Sequence, residues 1–301
     1  MNTFIQPIST RKRKTRIFQN NVGTFQVLNG LFLLLFSLAT LYPLWYEISL
    51  SFSSADQVTK GGAFLWPKEF TLDAYRTLVS TNLIWHTYLN TAFVTLVGTL
   101  LSVILTASTA YPLTKSQVPG RKWMIFGILF TMLFSGGVIP TYLVVKQLGL
   151  LNSLWSLILP GMISAYNTLV MMSFFQTIPA EIEESAEMDG ANPVHIFIKL
   201  ILPLSMPVLA TISLWVAVAH WNEFFTALLY INERSSYTLS LLLRDLISGQ
   251  DYARFTGEVS NTSTESVIGA TIVATILPIL CVYPFLQKYF VQGVMIGSIK
   301  G

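Results

Sequence analysis

The chain has 301 residues, of which 52% are hydrophobic and 11% charged, with a formal net charge of +3. An average globular protein carries about 25% charged residues, so the 18 Lys and Arg and 15 Asp and Glu here are too few to cover a soluble protein of this length. A soluble enzyme and a disordered chain are excluded, and the single cysteine, Cys281, excludes an internal disulfide framework, leaving a membrane-embedded protein.

The first 24 residues hold Arg11, Lys12, Arg13, Lys14 and Arg16. Basic residues ahead of the first apolar stretch place the N terminus in the cytoplasm. A cleaved signal peptide begins similarly, but the apolar run here is too long, lacks a small-x-small cleavage site and is followed by five more. The intervals 17–46, 77–114, 123–145, 147–180, 200–222 and 266–287 contain no Asp, Glu, Lys or Arg. A helix needs about 20 apolar residues to cross the hydrocarbon core of ~30 Å, and in lipid the backbone must satisfy its own hydrogen bonds. The alternation of a membrane β-barrel is absent. The expectation is an all-α polytopic membrane protein with six transmembrane helices, at about 27–50, 86–112, 123–143, 152–176, 204–229 and 266–287. Six crossings return the C terminus to the cytoplasm, and the inner segments then carry 11 of the 18 Lys and Arg. Residues 1–24 form a basic cytoplasmic segment, 25–290 one membrane domain and 291–301 a cytoplasmic tail.

Two outer loops are long. The first, 51–84, mixes six charges with Trp66. The second, 231–265, holds Arg234, Arg244, Arg254 and an amphipathic stretch over 237–246. The arginines suit an acidic partner or a carboxylate on a solute, or equally a solvated loop face. Between them lies the most informative inner segment, 179–203. Pro179 suits a first helical turn, 180–188 are good helix formers, and Gly190 stands where a left-handed C-terminal residue is wanted. Asn192-Pro193 reads as the cap and first position of a second short helix over 193–200. Five carboxylates crowd into 181–189, while Ile182, Ala186, Met188, Ile196, Phe197 and Ile198 supply apolar faces. Two readings stand: a helix–turn–helix that docks into a partner groove, or a solvated acidic turn.

Glu184-Ser185-Ala186, then Gly190, then Leu200 and Leu202-Pro203, resemble the EAA motif of permease subunits in ATP-binding-cassette importers. Its spacing is Glu-Ala-Ala, three residues, Gly, nine residues, an aliphatic, one residue, Leu-Pro. Ser185 for Ala and Leu200 for Ile are mild departures, and Asp189-Gly190-Ala191 matches the motif's centre. The tail from Gln287 onward is similar to that of MalG-type carbohydrate permeases. The stretches 135–142 and 148–152 resemble the LplC/YtcP-like group, associated with oligosaccharides and uronate-containing glycans.

The resemblance implies a type I importer permease fold with the EAA coupling helices between helices 4 and 5. It assigns Glu184, Ser185, Ala186, Asp189, Gly190, Ala191, Leu202 and Pro203 to coupling with a cytoplasmic ATPase dimer. It further implies a second, homologous permease subunit, an extracellular solute-binding protein, a carbohydrate substrate and residence in the bacterial cytoplasmic membrane among its lipids. The chain contains no Gly-Lys dipeptide and hence no Walker A loop. It is therefore expected to be non-catalytic and free of cofactors, with ATP and Mg held by the ATPase, and no nucleic acid is involved.

Asn222 and Glu223 lie near the outer end of the fifth predicted helix. They suit a gate or solute path, or an ordinary interfacial carboxylate. Pro112, Pro140, Pro160 and Pro278 suit kinks, and Tyr142, Phe174 and Tyr283 suit sugar stacking or plain packing. His86, His195 and His220 are too scattered for a metal site. Two other readings remain: an importer permease for a non-sugar solute, or a stand-alone secondary transporter or channel.

Overall fold

The computed structural model describes residues 24–249 and 262–298, and the basic segment 1–23 lies outside them. The chain divides into two units, 1–45 and 46–301. Helix α1 (Thr24–Ser51) opens in the first and has 28 residues, about 42 Å at 1.5 Å per residue. Within that unit Leu31, Phe32, Leu33, Leu34, Leu35, Phe36 and Leu38 are all exposed. A helix apolar on every side belongs in lipid rather than water.

In the second unit, α2 (Ala55–Thr59) and α3 (Asp73–Ser80) lead to α4 (Asn82–Thr114), a 33-residue helix of about 50 Å that forms the axis of the fold. Its buried face is Thr87, Thr91, Val94, Gly98, Ser102, Thr106 and Ala110, spaced three or four residues apart. Its outward face carries Leu89, Leu96, Leu100 and Ile104, with Leu96 71% exposed. Small and hydroxyl-bearing residues inside, large aliphatics outside, is the arrangement of a helix solvated by hydrocarbon, where close backbone approach replaces hydrophobic burial.

After α4 the chain forms α5 (Arg121–Leu133), α6 (Val138–Gln147), the single turn α7 (Trp155–Ile158) and α8 (Ala165–Phe175). The inner loop contributes α9 (Ala180–Met188) and α10 (Pro193–Leu204). Then come α11 (Met206–Trp221), α12 (Phe225–Tyr230), α13 (Leu239–Ile247) and α14 (Thr264–Ser298). No strand occurs among the described residues. α4 packs on α8 and α11, and α11 packs on α14.

Three described helices, 25–51, 82–114 and 264–282, are long and apolar enough to cross a membrane, or five if each bent pair counts as one crossing. The expected third, fourth and fifth spans each contain a helix break. α5 and α6 meet at 112°, because Gly137 takes φ +85 and its N–H turns to the Ser135 hydroxyl. Pro160-Gly161 separates α7 from α8, which restarts with the Ser164 hydroxyl accepting from Asn167 N–H. α11 stops at Trp221, and the Glu223 carboxylate accepts the Thr226 N–H at 3.0 Å to start α12. Local caps and glycines, invisible to a count of charge-free residues, compete with continuous helix at each of these points.

Pro278, in α14, cannot donate to the Ala274 carbonyl. That carbonyl instead accepts from the Tyr88 hydroxyl of α4. The neighbouring Thr275 carbonyl accepts from Trp221 Nε1 of α11 at 3.0 Å. Donors from two helices thus fasten a third at its proline, as intramembrane prolines require.

Candidate functional site

The inner loop builds from its turn outward. α9 ends in a full Schellman motif: Ala191 N–H bonds the Ala186 carbonyl and Gly190 N–H the Glu187 carbonyl, both at 3.0 Å. Gly190 holds φ +84, the left-handed conformation that motif demands. The Asn192 side-chain oxygen then accepts the His195 N–H at 2.8 Å with Pro193 at the first helical position, and α10 begins. α10 widens into a π turn at Phe197–Ile201 just ahead of Pro203 and ends at Leu204. The short helix expected over 193–200 runs on past Pro203, and the break falls at Ser205, where α10 turns 79° into α11. The loop therefore lies as a shelf across the end of the helix bundle.

Glu184, Ser185, Asp189, Gly190 and Pro203 are exposed. Ala186, Ala191 and Leu202 are half-buried and pack on a core of Ala107, Ala110, Tyr111, Met171, Phe175, Ile196, Ile201 and Ile212. The Ser185 hydroxyl is spent on the Glu181 carbonyl of its own helix. Asp189, Gly190, Asn192, His195 and Lys199 border an open hollow of about 470 Å³ on the free side.

One acidic residue differs from its neighbours. The Glu183 side chain is only 13% exposed, turned toward α4, and its carboxylate pairs with Lys115 Nζ and accepts from the Tyr111 hydroxyl at 3.2 Å. The Tyr111 ring stacks on Phe197 at 4.9 Å and meets Phe175 edge-on at 6.1 Å. Neither Lys115 nor Tyr111 was a candidate from sequence; 68 and 72 residues separate them from Glu183, and no local pattern links them.

Toward the other end a cavity of about 490 Å³ opens between α7, α8, α11 and α12. Its lining includes Tyr166 and Trp215, whose rings pair at 5.9 Å, with Asn167, His220, Glu223 and Tyr230. Glu223 thus reaches a cavity, whereas Asn222 is exposed and its amide donates to the Val218 carbonyl. Among the aromatics singled out from sequence, Tyr142 stacks on Tyr230 and Phe174 packs in the inner core, while the Tyr283 side chain lies outside the described residues. The pair that lines the cavity, Tyr166 and Trp215, carried no such signal.

The outer loop is held from two sides. Asn152, at φ +60, accepts the N–H groups of Asn232 and Glu233 at 2.6 and 3.2 Å. The Asn90 amide donates to the carbonyls of Ser235 and Tyr237, and the Thr91 hydroxyl accepts the Leu239 N–H at 2.9 Å. Arg234 is exposed on the turn between these anchors. Arg244 pairs with Asp245 at 3.0 Å, and Arg254 lies outside the described residues. In the first outer loop, bonds from the Ser54 hydroxyl and the Gln57 amide hold the Glu69 carboxyl below its ordinary range.

The family model for the binding-protein-dependent transport system inner membrane component matches residues 117–296. The polygalacturonan/rhamnogalacturonan transport system permease protein YtcP of Bacillus subtilis is 44% identical, over 90% of this chain and 96% of its own. Protein LplC of the same organism is also 44% identical, over 92% and 95%. Among solved structures, a bacterial ABC transporter involved in the import of the acidic polysaccharide alginate matches with a TM-score of 0.84 and 38% identity, over 88% of this chain and 96% of that one.

Proposed function

Because the chain belongs to the family of binding-protein-dependent transport system inner membrane components, we propose that it is one permease subunit of an ATP-driven importer of an oligosaccharide with uronate content. Its fold is that of the type I ABC importer permeases. The names of YtcP and of the alginate importer, both concerned with acidic polysaccharides, support the substrate class.

The observation that carries the reading is the two-helix shelf of α9 and α10. Its apolar side is seated on the helix bundle, and Glu184, Asp189 and Gly190 are left free on the other. In this reading six spans cross the bacterial cytoplasmic membrane with both termini inside. A separate ATPase dimer grips the shelf, and closure of that dimer switches this subunit and a second, homologous permease from inward-open to outward-open. An extracellular binding protein delivers the sugar against the loop carrying Arg234. The chain itself is non-catalytic; ATP and Mg belong to the ATPase.

The cavity between α7, α8, α11 and α12 suits passage of a sugar. The Tyr166–Trp215 pair offers faces for C–H contacts, and Asn167, His220 and Glu223 offer hydrogen bonds to hydroxyls. The test is purification with the genetic neighbours, reconstitution in liposomes and uptake of labelled oligogalacturonides with and without ATP. ATP-dependent uptake requiring the binding protein is expected. Uptake by this chain alone, without an ATPase, refutes the reading.

A further inference from the structure

We propose that α4 is a connecting rod, bolted to the coupling shelf at one end by Glu183, Tyr111 and Lys115 and to the outer loop at the other by Asn90 and Thr91. A displacement of the shelf is thereby delivered to the outer loop through α4. The proposal rests on the permease reading above.

The covalent exits from the shelf are poor transmitters. On one side the chain leaves α8 through the turn 176–179, and on the other it breaks at Ser205 with a 79° corner. Most of α9 is exposed, including Glu181, Ile182, Glu184, Ser185 and Glu187. Glu183 is the polar attachment of α9 to another helix. Its partners are Tyr111, near the end of α4, and Lys115, which follows the helix and whose ammonium is also 4.9 Å from the centre of the Tyr111 ring. Tyr111 holds both shelf helices at once, the first through its hydroxyl to Glu183 and the second through its ring face on Phe197. The Glu183 side chain is 13% exposed and that of Lys115 36%, so losing the lysine leaves a mostly buried carboxylate without its charge partner, which is costly.

From Tyr111 to Thr91 is twenty residues of one helix, roughly 30 Å. At that far end the Asn90 amide bonds two carbonyls and the Thr91 hydroxyl one N–H of the segment 235–239. Thus one continuous helix carries specific polar bonds to the shelf and to the outer loop, and its buried face of small residues packs directly on α8 and α11. Coupling is reciprocal in free energy, so contact made on the outer loop reaches the shelf by the same rod.

The experiment uses the whole reconstituted complex and reads sugar imported per ATP hydrolysed, with assembly checked by size-exclusion chromatography. Glu183→Gln at one end and Asn90→Ala at the other should each lower that ratio at least about fivefold, the loss of an ordinary coupling energy. The double variant should be no worse than the poorer single, because both cut one line of transmission. A merely structural role lowers the yield of complex and leaves the ratio untouched. If Glu183→Gln does not assemble, Tyr111→Phe removes only the hydroxyl bond, keeps the stack on Phe197, and should lower the ratio in the same direction. An unchanged ratio in assembled variants overturns the rod, and so does a double variant whose loss is the product of the singles. A wild-type complex without ATP-driven uptake defeats the permease reading instead.

Discussion

Gly98 offers a sharp test of how α4 and α11 are packed. A Cβ placed there would lie 2.6 Å from Nε2, 2.9 Å from Cδ2 and 3.1 Å from Cε1 of His220. The obstacle is a ring rather than the tip of a flexible chain, so Gly98→Ala forces the imidazole to swing. His220 lines the cavity between α7, α8, α11 and α12, and its free volume is where the ring can go. Gly127, in the interior of α5, supplies the control, since a Cβ there meets nothing within 4 Å. Both glycines sit inside helices, so the propensity gain of about 1 kcal/mol on going to Ala is common to the two. The difference between the variants isolates the overpacking cost, about 1–3 kcal/mol. Even 1–2 kcal/mol changes a folded-to-unfolded ratio about five- to thirtyfold. Denaturant titration of the purified complex in detergent, followed by circular dichroism, measures it. Gly127→Ala should hold or raise stability, Gly98→Ala should lower it, and adding His220→Ala to Gly98→Ala should recover most of the loss. Sugar import should fall in Gly98→Ala because the displaced ring occupies the cavity. Equal stability of the two Ala variants, or no recovery in the double variant, refutes the packing argument.

Gly190→Glu should leave the complex assembled but depress import. It forces an L-residue into φ +84 at a cost of about 1–2 kcal/mol on the shelf's turn; import at the normal rate contradicts this. Asn152→Gly keeps the positive φ while losing the two accepted bonds, so it should loosen the outer loop less than Asn152→Ala, which loses both. Proteolysis rates over 232–236 rank them, and the reverse order counts against the assignment. Glu69 has a folded-state pKa below its unfolded value, so its contribution is present above the unfolded value of about 4.3 and lost as pH falls through the folded one. Amide exchange at Ser54, relative to its intrinsic rate, should therefore accelerate on acidification through that window. Glu69→Gln should flatten the response, and a pH-independent wild type contradicts it.

The two-helix shelf was the part of the site most legible in sequence, because its determinants are local. Pro179, Gly190, Asn192 and Pro193 act within a turn of where they stand, and the structure contains the Schellman turn and the capped second helix they specify. Ala186 was legible as an apolar-face residue. Which carboxylate faces the bundle was not, since Glu181, Glu183, Glu184 and Glu187 are alike in sequence and differ only in their angle around α9. That angle is set where Ala186 and Ala191 seat on the inner core. Lys115 carries no local feature that marks it as the partner of Glu183, 68 residues away.

Composition and the spacing of charge determined by themselves that this chain lives in lipid and is helical, because a backbone without water has few other ways to close its hydrogen bonds. They also marked the acidic shelf and its turn. The cavity between α7, α8, α11 and α12 and the double anchoring of α4 are matters of tertiary structure. Each depends on groups far apart in sequence meeting at a few ångströms. In an apolar environment the residues that make those meetings specific are small or singly polar, such as Gly98, Thr91 and Tyr88, and nothing in their local pattern distinguishes them from residues that face lipid.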